Sequence, residues 1–359
     1  MKVTTSFVLA VIPASAFVPT RKYIRNCIEY NLSKGENIVD QSTLTLLEHV
    51  NLNVPSHEYI LPFYLDLLGC GLDPRKASNL KPDAPKKTIW ANCGASQFHL
   101  PYGDTPQTIP GHIGLSYESL DGLKNRLQES SNNNAVKSYE IGVDERTEKS
   151  FVKLVDQYDN VFYCREGKGR DAIMRQPIIG PDETDEWGDD ATRYGRKESE
   201  CLGINYVEFL CPTNSANKIA LFYESVFDAT TSCIDLGDSK IAIIAFGSVD
   251  EMGRAEQSLL FRETNEVIPP YDGHHIAFYV GSSAADFDFC YKNAELANLV
   301  WVNPRFSDKA DSLQGARNWK QFRMKDIVDM ETGDVIMELE HEVRSVEHES
   351  WLGSPSKRS

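Results

Sequence analysis

The chain has 359 residues, 41% of them hydrophobic and 25% charged, which is the balance of a globular polypeptide long enough for about two cores. Fifty-three acidic residues outnumber 37 basic ones and leave a net charge of -16, so the basic footprint that a phosphate backbone demands is missing and nucleic acid is not the expected partner. The eight cysteines are scattered without a CxxC pair, which argues against a zinc ribbon or a disulfide framework and for mostly buried free thiols.

In chain order, the N-terminus reads as an address. Lys2 precedes a short apolar run, Val8 to Ile12, followed by Ala14, Ser15 and Ala16, the layout of a secretory signal over 1–16. The run is too short to span a bilayer and Pro13 interrupts it, so stable membrane insertion is not expected. The basic stretch FVPTRKYIRN comes next. Ala14-Ser15-Ala16-Phe17-Val18-Pro19 resembles the junction of bipartite plastid presequences in algae with complex plastids, which implies a transit peptide and leader over 17–40 and a plastid location, with secretion as the alternative.

From residue 41 a strand (Leu47 to Val54) leads into an amphipathic helix around HEYILPFYLDLL, ended by Gly69, then the strands TIWANCG and SQFHLPYG. A second βαβββ unit opens at GHIGLSYES, continues through a helix near LDGLKNRLQES and closes with FVKLVDQ and NVFYCRE, around a turn-rich charged stretch. GKGRDAIMRQPIIGPDETDEWGDDATRYGRKE is polar and acidic and reads as a linker. Then the pattern starts again: INYVEFLCP parallels EHVNLNVP, IALFYESVFDA parallels ILPFYLDLLGC, and KIAIIAFGS and EQSLLFRET complete a third unit. DGHHIAFYV, which parallels PGHIGLSYE, opens a fourth that ends in FRMKDIVD and DVIMELEHE. VNPRFSDKADSLQGARNWK looks like an insertion of the kind that forms lids or contact surfaces. Repeats of about 60 residues point to one architecture used four times.

Side chains alternate along strands. Parity puts Val50, Leu52 and Val54 on one face of the first strand and His49, Asn51 and Asn53 on the other; likewise His99 opposes Phe98 and Leu100, His112 opposes Ile113 and Leu115, and Tyr163 opposes Phe162 and Cys164. Four strands thus aim His49, His99, His112 and Tyr163 into one cup, the leading candidate for a metal site. The bland reading, polar residues lining a solvated sheet, applies more naturally to Gln97 and Asn51. His57 is expected to be solvated, His274 to be a core or edge histidine, and His341 and His348 to lie at the surface. Phe63, Tyr64, Phe222 and Tyr223 read as core, and Trp90 as packing.

The paired βαβββ units, the helix of the FYxxLLG type, WANCGASQFHLP and GHIGL together resemble the vicinal oxygen chelate superfamily, which includes glyoxalase I, bleomycin and fosfomycin resistance proteins and extradiol dioxygenases. The resemblance implies an α+β fold of four βαβββ modules paired into two glyoxalase-like domains, expected at 41–168 and 201–345, with the acidic linker at 169–200 and a tail at 346–359. It implies a metal held by His49, His99 and His112, the last position falling near Tyr163, where many relatives have glutamate; Tyr163 would orient or protonate substrate. The ion would be Zn, Fe, Ni, Co or Mn. The same carry-over in the second half gives Tyr206, Leu259, His275 and Glu338, a cup expected to be degenerate. Parity places Glu166 on the wrong face to supply a missing carboxylate. The function implied is a plastid metal-dependent enzyme, of lyase, isomerase or dioxygenase type, acting on a small oxygenated metabolite; the alternative is a non-catalytic small-ligand-binding protein of the same fold.

Overall fold

The computed structural model describes residues 41–351 apart from 57, 59–60, 81–87, 130–134, 145–148, 168–198, 238 and 251–253. The leader at 1–40, nearly all of the acidic linker, most of the tail, and His57 lie outside the described residues.

Four modules follow one another, each opening on a strand and continuing into a helix. The first contains β1 (Leu44–Asn51), β2 (Gly71–Leu72), β3 (Thr88–Cys93) and β4 (Ser96–Pro101), and the second β5 (Gly111–Tyr117), β6 (Ser138–Asp144), β7 (Lys149–Val155) and β8 (Val161–Glu166). The third contains β9 (Cys201–Pro212), β10 (Thr231–Asp235), β11 (Lys240–Val249) and β12 (Ala255–Thr264). In the fourth, β13 (His275–Val280) is followed by β14 (Gln321–Val328) and β15 (Val335–Ser345), with a bridge from Val300 to Met324 where a further strand would lie. The module helices are Leu61–Leu67, Asp121–Gln128, Ala216–Phe227 and Ala284–Leu296. The expected α+β class and the fourfold repeat are therefore present, and β6 forms in the stretch whose composition reads as turn-rich and charged.

The strands form two sheets, ordered β14-β15-β13-β1-β4-β3-β2 and β10-β11-β12-β9-β5-β8-β7-β6. The first module thus shares a sheet with the fourth, and the second with the third. This differs from the pairing expected, first with second over 41–168 and third with fourth over 201–345. The reason lies in β1's own hydrogen bonds: β13 runs antiparallel along one side and β4 parallel along the other, so β1 has no side left for β5. β5 instead pairs with β9 and β8.

The apolar faces of the two sheets turn toward one another with helices between them. Phe63 and Tyr64, from the first helix, reach Phe162 on β8 (ring centroids 5.2 Å) and Phe98 on β4 (5.2 Å). That helix is wound in wide turns, Leu68 N–H bonding to Phe63 C=O and Cys70 N–H to Tyr64 C=O, and Gly69 ends it at φ +69. Tyr223 and Phe227, from the third, reach Phe261 on β12 and Phe278 on β13. The polar faces look away and form the two cups.

Where the sheets touch, the fit is close. The Gln257 amide donates to Leu47 C=O, Ser96 Oγ and Ile204 C=O and accepts from Leu47 N–H. Gly94, at φ +54 in the β3–β4 turn, lies where an added Cβ would stand 1.7 Å from the Leu202 carbonyl oxygen, so no other residue fits. Beside it Cys93 and Cys201 are joined in a disulfide, contrary to the expectation of free thiols for this pair; Cys164, Cys211 and Cys290 are buried and free.

His341 corrects another expectation. It faces the core from β15, fully buried, with Nε2 2.6 Å from the Tyr223 hydroxyl. Burial pushes its pKa down to about 3. The unfolded chain binds this proton near pH 6.5 and the folded one does not. The stabilisation is therefore complete above about pH 6.5 and is lost on acidification toward 3, by about 1.4 kcal/mol per pH unit at most. Urea denaturation across that window should show a shallower pH dependence for His341→Leu than for the parent chain; equal slopes would rule out this assignment.

Candidate metal centre

In the seven-stranded sheet, the pairing of β1 with β13 sets Asn51 opposite His275 and places His49 two residues along, on the same face. β4 brings His99 opposite Asn51, and β15 brings Glu340 opposite His275, with Glu342 two residues further on that face. His49 and His275 are 0% and 1% exposed, and Glu342 is 3% exposed. One ligand atom from each of these three lies within 4.8 Å of the others, and the same holds for Glu48, His49 and His99.

Neighbouring groups fix each ring. The Glu48 carboxylate holds His49 Nδ1, and Arg344 holds Glu48 at 3.0 Å, so His49 presents Nε2. That nitrogen is buried without a hydrogen-bond partner, as is His275 Nδ1. A carboxylate behind an imidazole whose far nitrogen is open is the arrangement that orients a histidine toward a metal. His99 lies face to face with His49, centroids 3.6 Å apart, and with Trp90 at 4.3 Å; Arg75 and Lys76 cover the other face of that indole. Gln97 gives its amide N–H to Asp73 at 2.7 Å and accepts from His99 Nε2 at 3.2 Å. Stacked rings aim their lone pairs side by side, so His99 supports His49 more than it converges with it.

Two buried arginines tie the carboxylates together. Arg323 donates to Asp308 (2.7 Å), Glu340 (2.7 Å) and Glu342 (2.6 Å); Arg344 donates to Glu342 (2.6 Å) as well as Glu48. Asn303 adds two bonds to Glu340, and Arg305 reaches it from the rim at 3.4 Å. Burial alone would raise the Glu342 pKa, but Arg323 and Arg344 outweigh it and hold it well below the carboxylate range. His99 and His275 are held well below the ordinary histidine value, chiefly by burial, then by His49 and Arg323 respectively, and are neutral at pH 7. Formally, four carboxylates (Glu48, Asp308, Glu340, Glu342) face two buried guanidiniums plus Arg305 at the rim. Buried carboxylates beside the neutral His99 and His275 put anionic oxygens and imidazole lone pairs together, a donor set that suits a divalent cation. Ligands near 2.1 Å from an ion stand about 3.4 Å apart at tetrahedral positions, so these groups would draw in by about an ångström on binding.

The structure thus brings together His49 and His99, and separates them from His112 and Tyr163. Those two lie on β5 and β8 in the other sheet, because the second module pairs with the third. Tyr206, 3.1 Å from His112, lies with them, while His275 joins the first cup. Leu259 is core, and Glu338 sits at the exposed start of β15 paired with Lys325, too far along the strand to reach the site. Sequence reading missed Glu48, Glu342 and the two arginines. The alternation Glu338, Glu340, Glu342, Arg344 carried a signal, but choosing among these positions needs the register against β13. His274, 3% exposed and paired with Asp272 at 2.7 Å, is the buried histidine expected.

Both cups repeat one arrangement: opening strands side by side and antiparallel, each flanked by its module's last strand running parallel to it. The fold is α+β, built of paired βαβββ-like modules. No protein-family model matches the chain, and no curated protein does. Among solved structures, the chain is similar to glyoxalase I from Zea mays, with 11% identity over 84% of this chain and 92% of that one and a TM-score of 0.49. It is similar to a putative dioxygenase from Bacillus subtilis, with 12% identity over 84% and 85% and a TM-score of 0.49. A mutant fosfomycin resistance protein from Listeria monocytogenes, complexed with Mn(II), matches at 13% identity over 44% of this chain and 96% of that one, with a TM-score of 0.25. Nothing about this chain's chemistry follows from likenesses at that level.

Arg323 is the residue whose loss the cluster tolerates least. Arg323→Met leaves Asp308 and Glu340 with much of their charge uncompensated and buried, and should cost about 3–5 kcal/mol in urea denaturation. Lys325→Ala, which breaks an exposed pair, should change stability by less than about 1 kcal/mol. Similar effects for the two would contradict the account of the cluster.

Proposed function

We propose that the chain is a metal-dependent enzyme acting on a small oxygenated molecule, with one divalent ion held by His49, His275 and Glu342. The observation that carries this reading is the convergence of His49, His275 and Glu342, one ligand atom of each within 4.8 Å of the others, with His49 Nε2 buried and partnerless. The ion would be Zn, Fe, Ni, Co or Mn, and when bound it would supply a Lewis acid for adjacent oxygens of the substrate.

The chain's own residues set the rest of the chemistry. Glu48 keeps His49 in one tautomer, and Arg344 keeps Glu48 in place. Phe306 closes the cup from the inserted segment, lying against His275 (5.6 Å) and under the Arg323 guanidinium (4.1 Å), and so excludes water from one side. Glu342 is tied to two guanidiniums that hold it well below the carboxylate range, so it is a weak base, which disfavours a reaction that begins with proton abstraction by it. Two imidazoles and one carboxylate are the donor set of non-haem Fe(II) oxygenases, so of the lyase, isomerase and dioxygenase types we favour the last. The depth of the cup favours a second reading, a non-catalytic protein that encloses a small ligand: its key side chains are 0–7% exposed.

Metal analysis of untagged protein should find about one equivalent per chain. His49→Ala, His275→Ala and Glu342→Gln should each lose it, and His112→Ala should keep it. Folded protein that binds no metal while retaining a small ligand would replace the first reading with the second.

On its sequence alone we also assign the chain to a plastid, through residues 1–40. A fusion of that segment to a fluorescent protein, expressed in an alga with a complex plastid, should enter the organelle, and secretion of the fusion would overturn the assignment. Among the described residues no helix is long and apolar enough to cross a membrane.

A further inference from the structure

The cup of the eight-stranded sheet is built differently from the first and takes no part in the reading above. Its floor comes from alternate residues of β5, β8 and β9. His112 stands between two partners, Nδ1 3.2 Å from the Glu208 carboxylate and Nε2 3.1 Å from the Tyr206 hydroxyl. Arg262 anchors Glu208 from β12 at 2.7 Å. Glu208, His112 and Tyr206 therefore form one hydrogen-bonded chain ending in a phenol.

Gly114 makes room for that phenol. A Cβ there would stand 2.1 Å from Tyr206 Cε1, so the Tyr206 ring lies flat on the β5 backbone because GHIGL has glycine at this position. Tyr163 closes the other side, its ring 4.8 Å from His112 and 6.0 Å from Phe151. Cations surround these rings: Lys153 lies 5.6 Å from the Tyr163 ring, and Arg165 pairs with Asp144 at 3.0 Å through Nη2. Arg165 Nε is buried without a hydrogen-bond partner.

No metal-ligand cluster is found in this cup among the described residues. Burial raises the Tyr206 pKa, so its hydroxyl keeps its proton, which it gives to His112 Nε2 and can turn to an entering oxyanion. Burial would also raise that of Glu208, but His112 and Arg262 hold it below the ordinary value, so the far end of the chain keeps its negative charge and fixes His112 with its proton toward Glu208. A ring wall beside an open guanidinium N–H and a phenol suits a flat apolar body carrying an oxyanion.

We propose that this second cup is a metal-independent binding site for a small aromatic carboxylate, its ring against Tyr163 and Phe151 and its oxyanion taken by Tyr206 and Arg165.

Calorimetric titration of the full chain, stripped of metal with chelator, tests this with benzoate and phenylpyruvate as probes and benzyl alcohol as the uncharged control. At least one of the two carboxylates should bind at one site per chain, with benzyl alcohol at least tenfold weaker. Tyr206→Phe, which removes one oxygen, and Gly114→Ala, which evicts the ring, should each weaken binding at least tenfold. His49→Ala and His275→Ala should leave it unchanged, which separates this site from the metal centre. The proposal is overturned by no binding of either carboxylate to the folded parent chain, by binding that Tyr206→Phe leaves intact, or by binding that disappears with His49 and His275 instead.

Discussion

The antiparallel pairing of β1 with β13 is the constraint on which the first cup depends. Two strands separated by more than 220 residues of chain run side by side, and their register decides which side chains share a cavity. With Asn51 opposite His275, His49 and His275 stand across one concave face, and each brings its module's last strand with it. A slip of β1 by one residue would turn His49 into the helix-packed core and expose Val50 in its place.

Buried charge then follows from position. Glu48, Glu340 and Glu342 are withdrawn from water, and such groups persist only where cations meet them. Arg323 and Arg344 do so, and they also fix the carboxylates behind and beside the histidines. The first cup is thus a rigid, charged, enclosed site closed by Phe306. The second is shallower and more exposed, with a single His–Glu pair and two phenols. The two frames are alike in strand order and direction, and the residues on their inner faces differ.

Much of this was legible in the sequence, for a physical reason. Alternation along strands is local, so the inward direction of His49, His99, His112 and Tyr163 could be read from their apolar neighbours Val50, Phe98, Ile113 and Phe162. Repeated segments such as PGHIGLSYE and DGHHIAFYV announced a module used more than once. The partnership of modules was not legible. Those two segments are so alike that either would serve as the neighbour of β1, and the choice is made by long-range packing at Gln257, Gly94 and the aromatic residues between the sheets. Sequence alone therefore places His112 in the cup that His275 occupies. Glu342 was missed for a related reason: β15 offers Glu338, Glu340 and Glu342 on one face, and only the register against β13 ranks them. His341 looked like part of an acidic surface strand because its neighbours are charged, yet those neighbours are the buried carboxylates of the cup and His341 faces the core behind them.

The most direct test is an anomalous-difference map from crystals grown with one equivalent of zinc per chain. The account predicts a single peak about 2.1 Å from a ring nitrogen of His49 and one of His275, with a Glu342 oxygen completing the set. A peak beside His112, or an empty first cup in the presence of the ion, would contradict it.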